Sequence, residues 1–388
     1  MKNLFTLLIA VILAGGVMGQ NDYWFQKGVK VNKPVKKIEY FTKSIEMEGA
    51  AAETYLNRGD VYWGLAIGGL NKHRRFVIIF NKDKANFHKP KVMFDKARKD
   101  YTKAMEIDSN CTKAYIKRSK VYWQLGDNDK ALADASLLIK INPEVPEGYV
   151  RRGGLYRNNF GDSEKALVDF SKAIELDPNN TDAYRSRAFT YYHLEEYENA
   201  LADFNKVIEI DPKDAFSYWR RGDIYRCTGE YDKALTEYNR SIKMDFKYSV
   251  VYNSRGLIYF IQGQYEKALK DFKKAISKQP SYYLIAYNNA GYVYLQQGKT
   301  DLAIKYFNKS ISERDKRDKF FAPNLNLALL YYENGDQEKA ILYLEQAKEM
   351  APSLQDSIDS VLMSKQKFGV YWTEKDKETM AKMFEELK

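Results

Sequence analysis

Apolar and small residues return along this chain about every 34 residues, and within each period they fall twice at the three-and-four spacing of a helix face. Tyrosines mark the beat, at Tyr62, Tyr122, Tyr156, Tyr191, Tyr225, Tyr259, Tyr294 and Tyr331. After the first interval the steps are 34, 35, 34, 34, 35 and 37 residues. An alanine keeps the same time at Ala97, Ala131, Ala166, Ala200, Ala234, Ala268, Ala303 and Ala340. A period of this length predicts a solenoid of stacked helical hairpins, because one hairpin cannot bury its apolar face alone.

Each copy reads as two helices. Tyr218, Gly222 and Tyr225 stand at spacings of four and three, which puts them on one face of the first helix. The glycine, replaced by Ser119, Ala188 and Ala328 in other copies, keeps that face thin enough for the next helix to approach. Gly126, Gly161, Gly229, Gly263, Gly298 and Gly335 each stand five residues before the marker alanine, where the chain must reverse. Pro143, Pro178, Pro212, Pro280 and Pro352 then close the second helix, since proline cannot continue it. The predicted class is all-α.

These residues carry a resemblance. Tyr115, Tyr122, Gly126, Ala131 and Pro143 stand where the tetratricopeptide repeat expects them, and the tandem match extends over about residues 51–352, eight units in all. The resemblance implies a right-handed superhelical solenoid whose first helices line a concave groove for a peptide or protein partner. It does not identify that partner.

A second periodic feature is paired. Arg58, Arg118, Arg152, Arg187, Arg221 and Arg255 on first helices come with Asp100, Asp134, Asp169, Asp203, Glu237 and Asp271, three residues after the marker alanine. Where the arginine becomes Ala290 or Leu327, the carboxylate becomes Tyr306 or Tyr343. A ladder of anion-binding groups has no reason to lose both members together. An internal ion pair does, since removing one partner leaves the other buried and uncompensated. Helix-to-helix pairs within each unit are therefore expected.

The ends depart from the repeat. Met1-Lys2-Asn3 followed by the apolar run 4–14 and the small residues before Gln20 reads as a signal peptide over about residues 1–19; the competing reading, a retained membrane anchor, is disfavoured because the run is too short to span a bilayer and glycines break it. An exported, periplasmic or secreted chain is expected. Residues 20–50 read as a degenerate first repeat, with Trp24 and Gly28 echoing the first helix, and residues 353–388 as two capping helices. Thr373 with Asp376 resembles a capping box. Cys111 and Cys227, three repeats apart, are too distant to bridge and read as free thiols.

The first interval, Tyr62 to Tyr122, is 60 residues, which leaves an insertion at about residues 64–91 between the helices of the first full unit. It holds Arg74, Arg75 and other basic residues around the apolar run Phe76 to Phe80. Such an element serves either as a binding device or as a decorative loop. As a device it could meet a membrane surface or polyanion, or pair as a short strand with a partner. His73 and His88 lack ligand spacing, and no metal site is expected. Partner contact is the favoured reading.

First-helix residues off the tyrosine face outline the groove. Lys113, Lys117 and Lys120 form one basic stripe, extended by Arg151, Arg157, Arg185, Arg220 and Arg226, with Trp123, Tyr192 and Trp219 between them. Asn253, Asn288, Asn289, Tyr292, Asn326 and Tyr332 make a neutral, amide-rich continuation. The bland alternative is an ordinary solvated helix face. Arginine and aromatic residues are common interface anchors, which favours an acidic peptide on the basic stretch.

Charge and composition add little beyond this. The formal charge of +10 is diluted by 52 acidic residues, and an export signal argues against a nucleic-acid partner. No phosphate-cradling glycine loop, metalloprotease histidine pair, cysteine pair or nucleophile-elbow serine occurs. The expectation is a non-enzymatic scaffold with no cofactor and no small-molecule substrate.

Overall fold

The computed structural model describes residues 22–47, 50–71, 90–244, 249–278, 283–312, 320–351 and 373–387, and no strand occurs among them. The expected signal peptide and the first expected capping helix lie outside the described residues. A helix over 22–30 (α1) pairs with α2 (Pro34–Glu46). Then come α3 (Ala52–Asn71) with α4 (Pro90–Ile107), α5 (Thr112–Gln124) with α6 (Asn128–Ile141), and α7 (Pro146–Leu155) with α8 (Ser163–Leu176). The series continues with α9 (Thr181–His193), α10 (Tyr197–Ile210), α11 (Ala215–Cys227), α12 (Tyr231–Lys243), α13 (Val250–Ile261) and α14 (Tyr265–Lys278). It ends with α15 (Tyr283–Gln296), α16 (Thr300–Ser312), α17 (Ala322–Glu333), α18 (Gln337–Met350) and α19 (Glu374–Glu386).

Two compact units are distinguished, Met1–Leu194 and Glu195–Lys388. From α2 to α9 in one and from α10 to α18 in the other, each helix packs on the next in sequence, while α19 packs on α17. First helices also touch the first helix of the following repeat, as α3 does α5 and α7 does α9 in one unit, and α11 does α13 and α15 does α17 in the other. Within each unit the first helices thus share a layer.

Hairpin turns are set by backbone chemistry. Gly126, Gly161, Gly229, Gly263, Gly298 and Gly335 all hold φ between 66° and 81°, the left-handed conformation that glycine adopts without a Cβ clash. At the corresponding place after α9 stands Glu195, with φ 62°, the only non-glycine residue of positive φ among those described. Asp127, Asp162 and Asp336 then cap the following helices by accepting the N–H of Lys130, Lys165 and Lys339. In α7 the copy carries one extra residue before its turn glycine, and Tyr156–Phe160 absorb it as a π turn.

The eight marker alanines are fully buried. Four residues after most of them comes a buried ring, and the glycine of the first helix lies against it. A Cβ placed on Gly59 would stand 2.6 Å from the Tyr101 ring, and on Gly222, Gly256 and Gly291 2.7–2.8 Å from Tyr238, Phe272 and Phe307. In the copy where Ser119 replaces the glycine, the ring position is Ala135, so the two volumes change together. Gly28 repeats the contact with Phe41 at 2.5 Å, within the segment expected to be a degenerate repeat.

Five of the six expected ion pairs join the helices of one repeat. Arg58, Arg118 and Arg152 reach both oxygens of Asp100, Asp134 and Asp169 at 2.9 and 2.7 Å, and Arg255 reaches both of Asp271 at 2.7 Å. Arg221 places Nε and Nη2 on one oxygen of Glu237, at 3.0 and 2.5 Å. The sixth pair, Arg187 and Asp203, has one member in each compact unit. Where both members are absent, Tyr306 lies 5.0 Å from Tyr294, and Tyr343 stacks on Tyr331 at 5.6 Å and 3°. The tyrosine therefore fills the space of the ion pair by packing on the marker ring.

The arginines also reach backward to the preceding repeat. Arg58 donates to Thr42, Arg118 to Thr102 and Arg187 to Ser171 at 3.0–3.1 Å, while Arg221 and Arg255 donate to Asn205 and Asn239 at 2.7 and 2.5 Å. One guanidinium thus ties helix to helix and repeat to repeat. Only the first tie is legible in the spacing of the sequence.

Candidate partner-binding site

In the unit Met1–Leu194, the first-helix layer opens a cleft of about 160 Å3 lined by Asp60, Trp63, Tyr101, Lys113, Ile116, Lys117 and Lys120. Lys113 and Lys120 are exposed at its rim. Lys117 donates to both oxygens of Asp60 at 2.6 Å, and the Tyr101 hydroxyl donates to the same carboxylate at 2.8 Å. An anionic ligand would therefore compete with Asp60 for Lys117. Burial, followed by the nearby charges of Arg151 and Lys117, pushes the Lys120 amine below its usual range even though part of the side chain reaches solvent.

Arg151 and Arg157 differ from the repeating arginines because, among the described residues, neither is paired with a carboxylate. Arg151 donates to the Ser119 hydroxyl at 3.0 Å and to the Ser119 carbonyl at 2.9 Å, and its guanidinium lies 5.8 Å over the Trp123 ring. Arg157, raised on the π turn, donates to the Ser186 carbonyl at 2.8 Å and lies 4.9 Å over Phe189. Burial alone pushes both guanidinium groups down to about 10. Two charges held only by neutral oxygens and rings would gain from an arriving carboxylate. Tyr192 is half-buried with its ring edge against His193.

In the unit Glu195–Lys388 the expected groove residues are drawn into packing. Trp219 is buried, donates to the Ser254 hydroxyl at 3.5 Å, and carries the Arg220 guanidinium 3.9 Å above its ring. Arg220 also meets Asp223 at 3.4 Å, and Arg226 donates to the Cys227 sulfur at 3.9 Å. Asn289 donates to Asn253 at 3.0 Å and Asn326 to Asn288 at 2.8 Å, all four amides being buried. These bonds span 36 and 38 residues, one repeat, so the amides form a seam between successive first helices. Periodicity located that face but could not tell a seam from an open groove.

Arg74, Arg75, Phe76 and Phe80 of the expected insertion lie outside the described residues. The helices beside it extend into the segment: residues 64–71 continue α3, and α4 begins at Pro90. Cys111 and Cys227 are free thiols. Among the described residues, no group of three or more His, Cys, Asp or Glu is placed to hold a metal, and no helix is long and apolar enough to cross a membrane.

Sequence profiles of the tetratricopeptide repeat match residues 181–214 and 249–282, and 112–145, 284–316 and 323–354, and a further TPR repeat profile matches 161–194 and 222–263. Together they cover more than half of the 388 residues. No curated protein matches the chain. Similar solved structures include a tetratricopeptide repeat protein from Parabacteroides merdae, 20% identical over 71% of this chain and 98% of that one, with a TM-score of 0.52. Yeast Tom70 is 17% identical over 94% of this chain and 95% of its own, with a TM-score of 0.51. A chain of the APC/C hetero-tetramer Cut9–Hcn1 is 14% identical, covering 95% of this chain and 66% of that one, with a TM-score of 0.55. At these identities the likeness is one of fold.

Proposed function

Because the chain belongs to the tetratricopeptide repeat family, a family of protein-interaction scaffolds, we propose that it is an exported, non-enzymatic scaffold that holds an acidic peptide segment on the basic first-helix face of residues 112–160. The observation that carries this reading is the pair Arg151 and Arg157, both desolvated and neither matched by a carboxylate. Their charges cannot be relieved by deprotonation at physiological pH, because even the lowered values lie near 10. Lys113 and Lys120 extend the positive field along the neighbouring helix, and Trp123 and Phe189 offer flat surfaces beside the guanidinium groups. The reading of residues 1–19 as a signal peptide supports a setting in the periplasm or outside the cell.

The test is fluorescence anisotropy with a labelled Asp/Glu-rich peptide and a Lys-rich peptide of equal length. The acidic peptide is expected to bind and the basic one to fail, with affinity falling as salt rises. Lys113→Glu/Lys120→Glu, at exposed rim positions, is expected to weaken binding ~10-fold, about 1.4 kcal/mol. Binding that ignores peptide charge, or that survives the double reversal unchanged, would sink the reading.

A further inference from the structure

The C-terminal helix α19 packs against α17, a first helix, and it does so through residues unlike those of any repeat seam. Its N-terminus is fixed by a capping box in which Thr373 and Asp376 bond one another. Tyr292 of α15 donates its hydroxyl to the Asp376 carboxylate, and the Thr373 N–H donates to the Tyr292 oxygen at 3.2 Å. Asp376 is 8% exposed, and among the described residues no cation stands within ion-pair distance of it. Farther along, Met380 and Met383 are fully buried and Phe384 nearly so, in the same apolar cluster as Phe260, Tyr292, Leu325 and Leu329. At its C-terminal end Glu386 accepts a hydrogen bond from Tyr332 of α17 at 2.5 Å. Tyr292 and Tyr332 both belong to the face that the sequence pattern assigns to the groove.

We infer that the α15–α17 face is a binding surface for an amphipathic helix, and that α19 is its tethered occupant, covering the surface until it is displaced. Three features are those of a helix that docks as a ligand. A 13-residue helix is marginal by itself in water, so α19 owes its helicity to its capping box and to docking. Its two fully buried side chains, Met380 and Met383, are methionines, the adaptable residue found on surfaces that accept more than one partner. Its polar anchors are hydrogen bonds at the hydroxyls of Tyr292 and Tyr332, whereas five repeats join their two helices by an arginine–carboxylate pair. The surface is specific about where a helix starts, since Tyr292 meets the capping carboxylate, and about apolar residues four, seven and eight positions after it. This site lies in the unit Glu195–Lys388 and uses no basic residue of 112–160, so it stands or falls separately from the acidic-peptide reading.

The experiment uses the full chain and a labelled synthetic peptide of residues 373–387. In the parent the tethered helix holds the surface at a high effective concentration, so the peptide is expected to bind poorly. Met380→Glu/Met383→Glu ejects α19 without touching the surface, and the peptide is expected to bind this variant ~10-fold or more tightly than the parent. Asp376→Ala, which removes the anchor to Tyr292 together with the capping box, is expected to move binding in the same direction. Adding Tyr292→Phe to the ejected variant is expected to weaken the peptide again, because the capping carboxylate loses its donor. Equal binding by parent and both released variants, or no binding by any, overturns the inference. So does loss of helical signal beyond that of α19 in Met380→Glu/Met383→Glu, which would make α19 an integral part of the fold.

Discussion

Arg255 illustrates how much one side chain carries here. Its guanidinium meets Asp271 on the partner helix at 2.7 Å and Asn239 on the preceding repeat at 2.5 Å. The same arrangement at Arg58 is costly, since burial pushes the Asp100 carboxyl above its usual range despite the hydrogen bonds from Arg58. Such pairs hold geometry more than they add stability, and losing one member is worse than losing both. Arg255→Ala is therefore expected to cost ~3 kcal/mol or more in urea unfolding, because Asp271 remains buried without a partner. Arg255→Ala/Asp271→Tyr is expected to recover at least ~1 kcal/mol of that loss, since it copies the Ala290 and Tyr306 arrangement and lets the new ring pack on Tyr259. A double variant no more stable than the single one would show that the tyrosine substitute depends on its own repeat.

At the scale of the helix, acid exposes the capping carboxylates. The side-chain hydrogen bond from Lys130 holds the Asp127 carboxyl below the usual carboxylate range, and Lys165 and Lys339 do the same for Asp162 and Asp336. A carboxyl whose pKa is lower folded than unfolded contributes stability that is present above the unfolded value and is lost as pH falls through the folded one. Thermal melts are therefore expected to show falling stability as pH drops below the ordinary carboxylate range. Asp127→Asn/Asp162→Asn/Asp336→Asn should flatten part of that fall while keeping serviceable caps, because asparagine accepts the same N–H without titrating. An unchanged acid slope in the triple variant would assign the effect to other carboxylates.

Across the whole molecule, stability should be passed from neighbour to neighbour. Consecutive helices supply the main contacts in each unit, so each unit behaves as a one-dimensional stack. Gly256→Ala sets a Cβ 2.7 Å from the Phe272 ring and is expected to destabilise its repeat by about 1–3 kcal/mol through overpacking. Amide hydrogen exchange should quicken most in α13 and α14, less in α12 and α15, and not at all in α5 to α8. A uniform acceleration would instead reveal one cooperative unit.

The repeat, its two helices and the internal character of the arginine–carboxylate pairs were all legible in the sequence, because each depends on residues a fixed short distance apart. Coordinated replacement disclosed even the pairing, since Ala290 and Tyr306 changed together. What a first-helix face touches was not legible. The asparagines at 253, 288, 289 and 326 closed into a seam between helices, while Arg151 and Arg157 stayed without a carboxylate, and both groups share the same periodic face. Nor could spacing bring Asp376 to Tyr292, 84 residues away. Periodicity determines which side of a helix is apolar, but only tertiary packing decides which polar groups find partners, because that depends on the approach of segments distant in the chain.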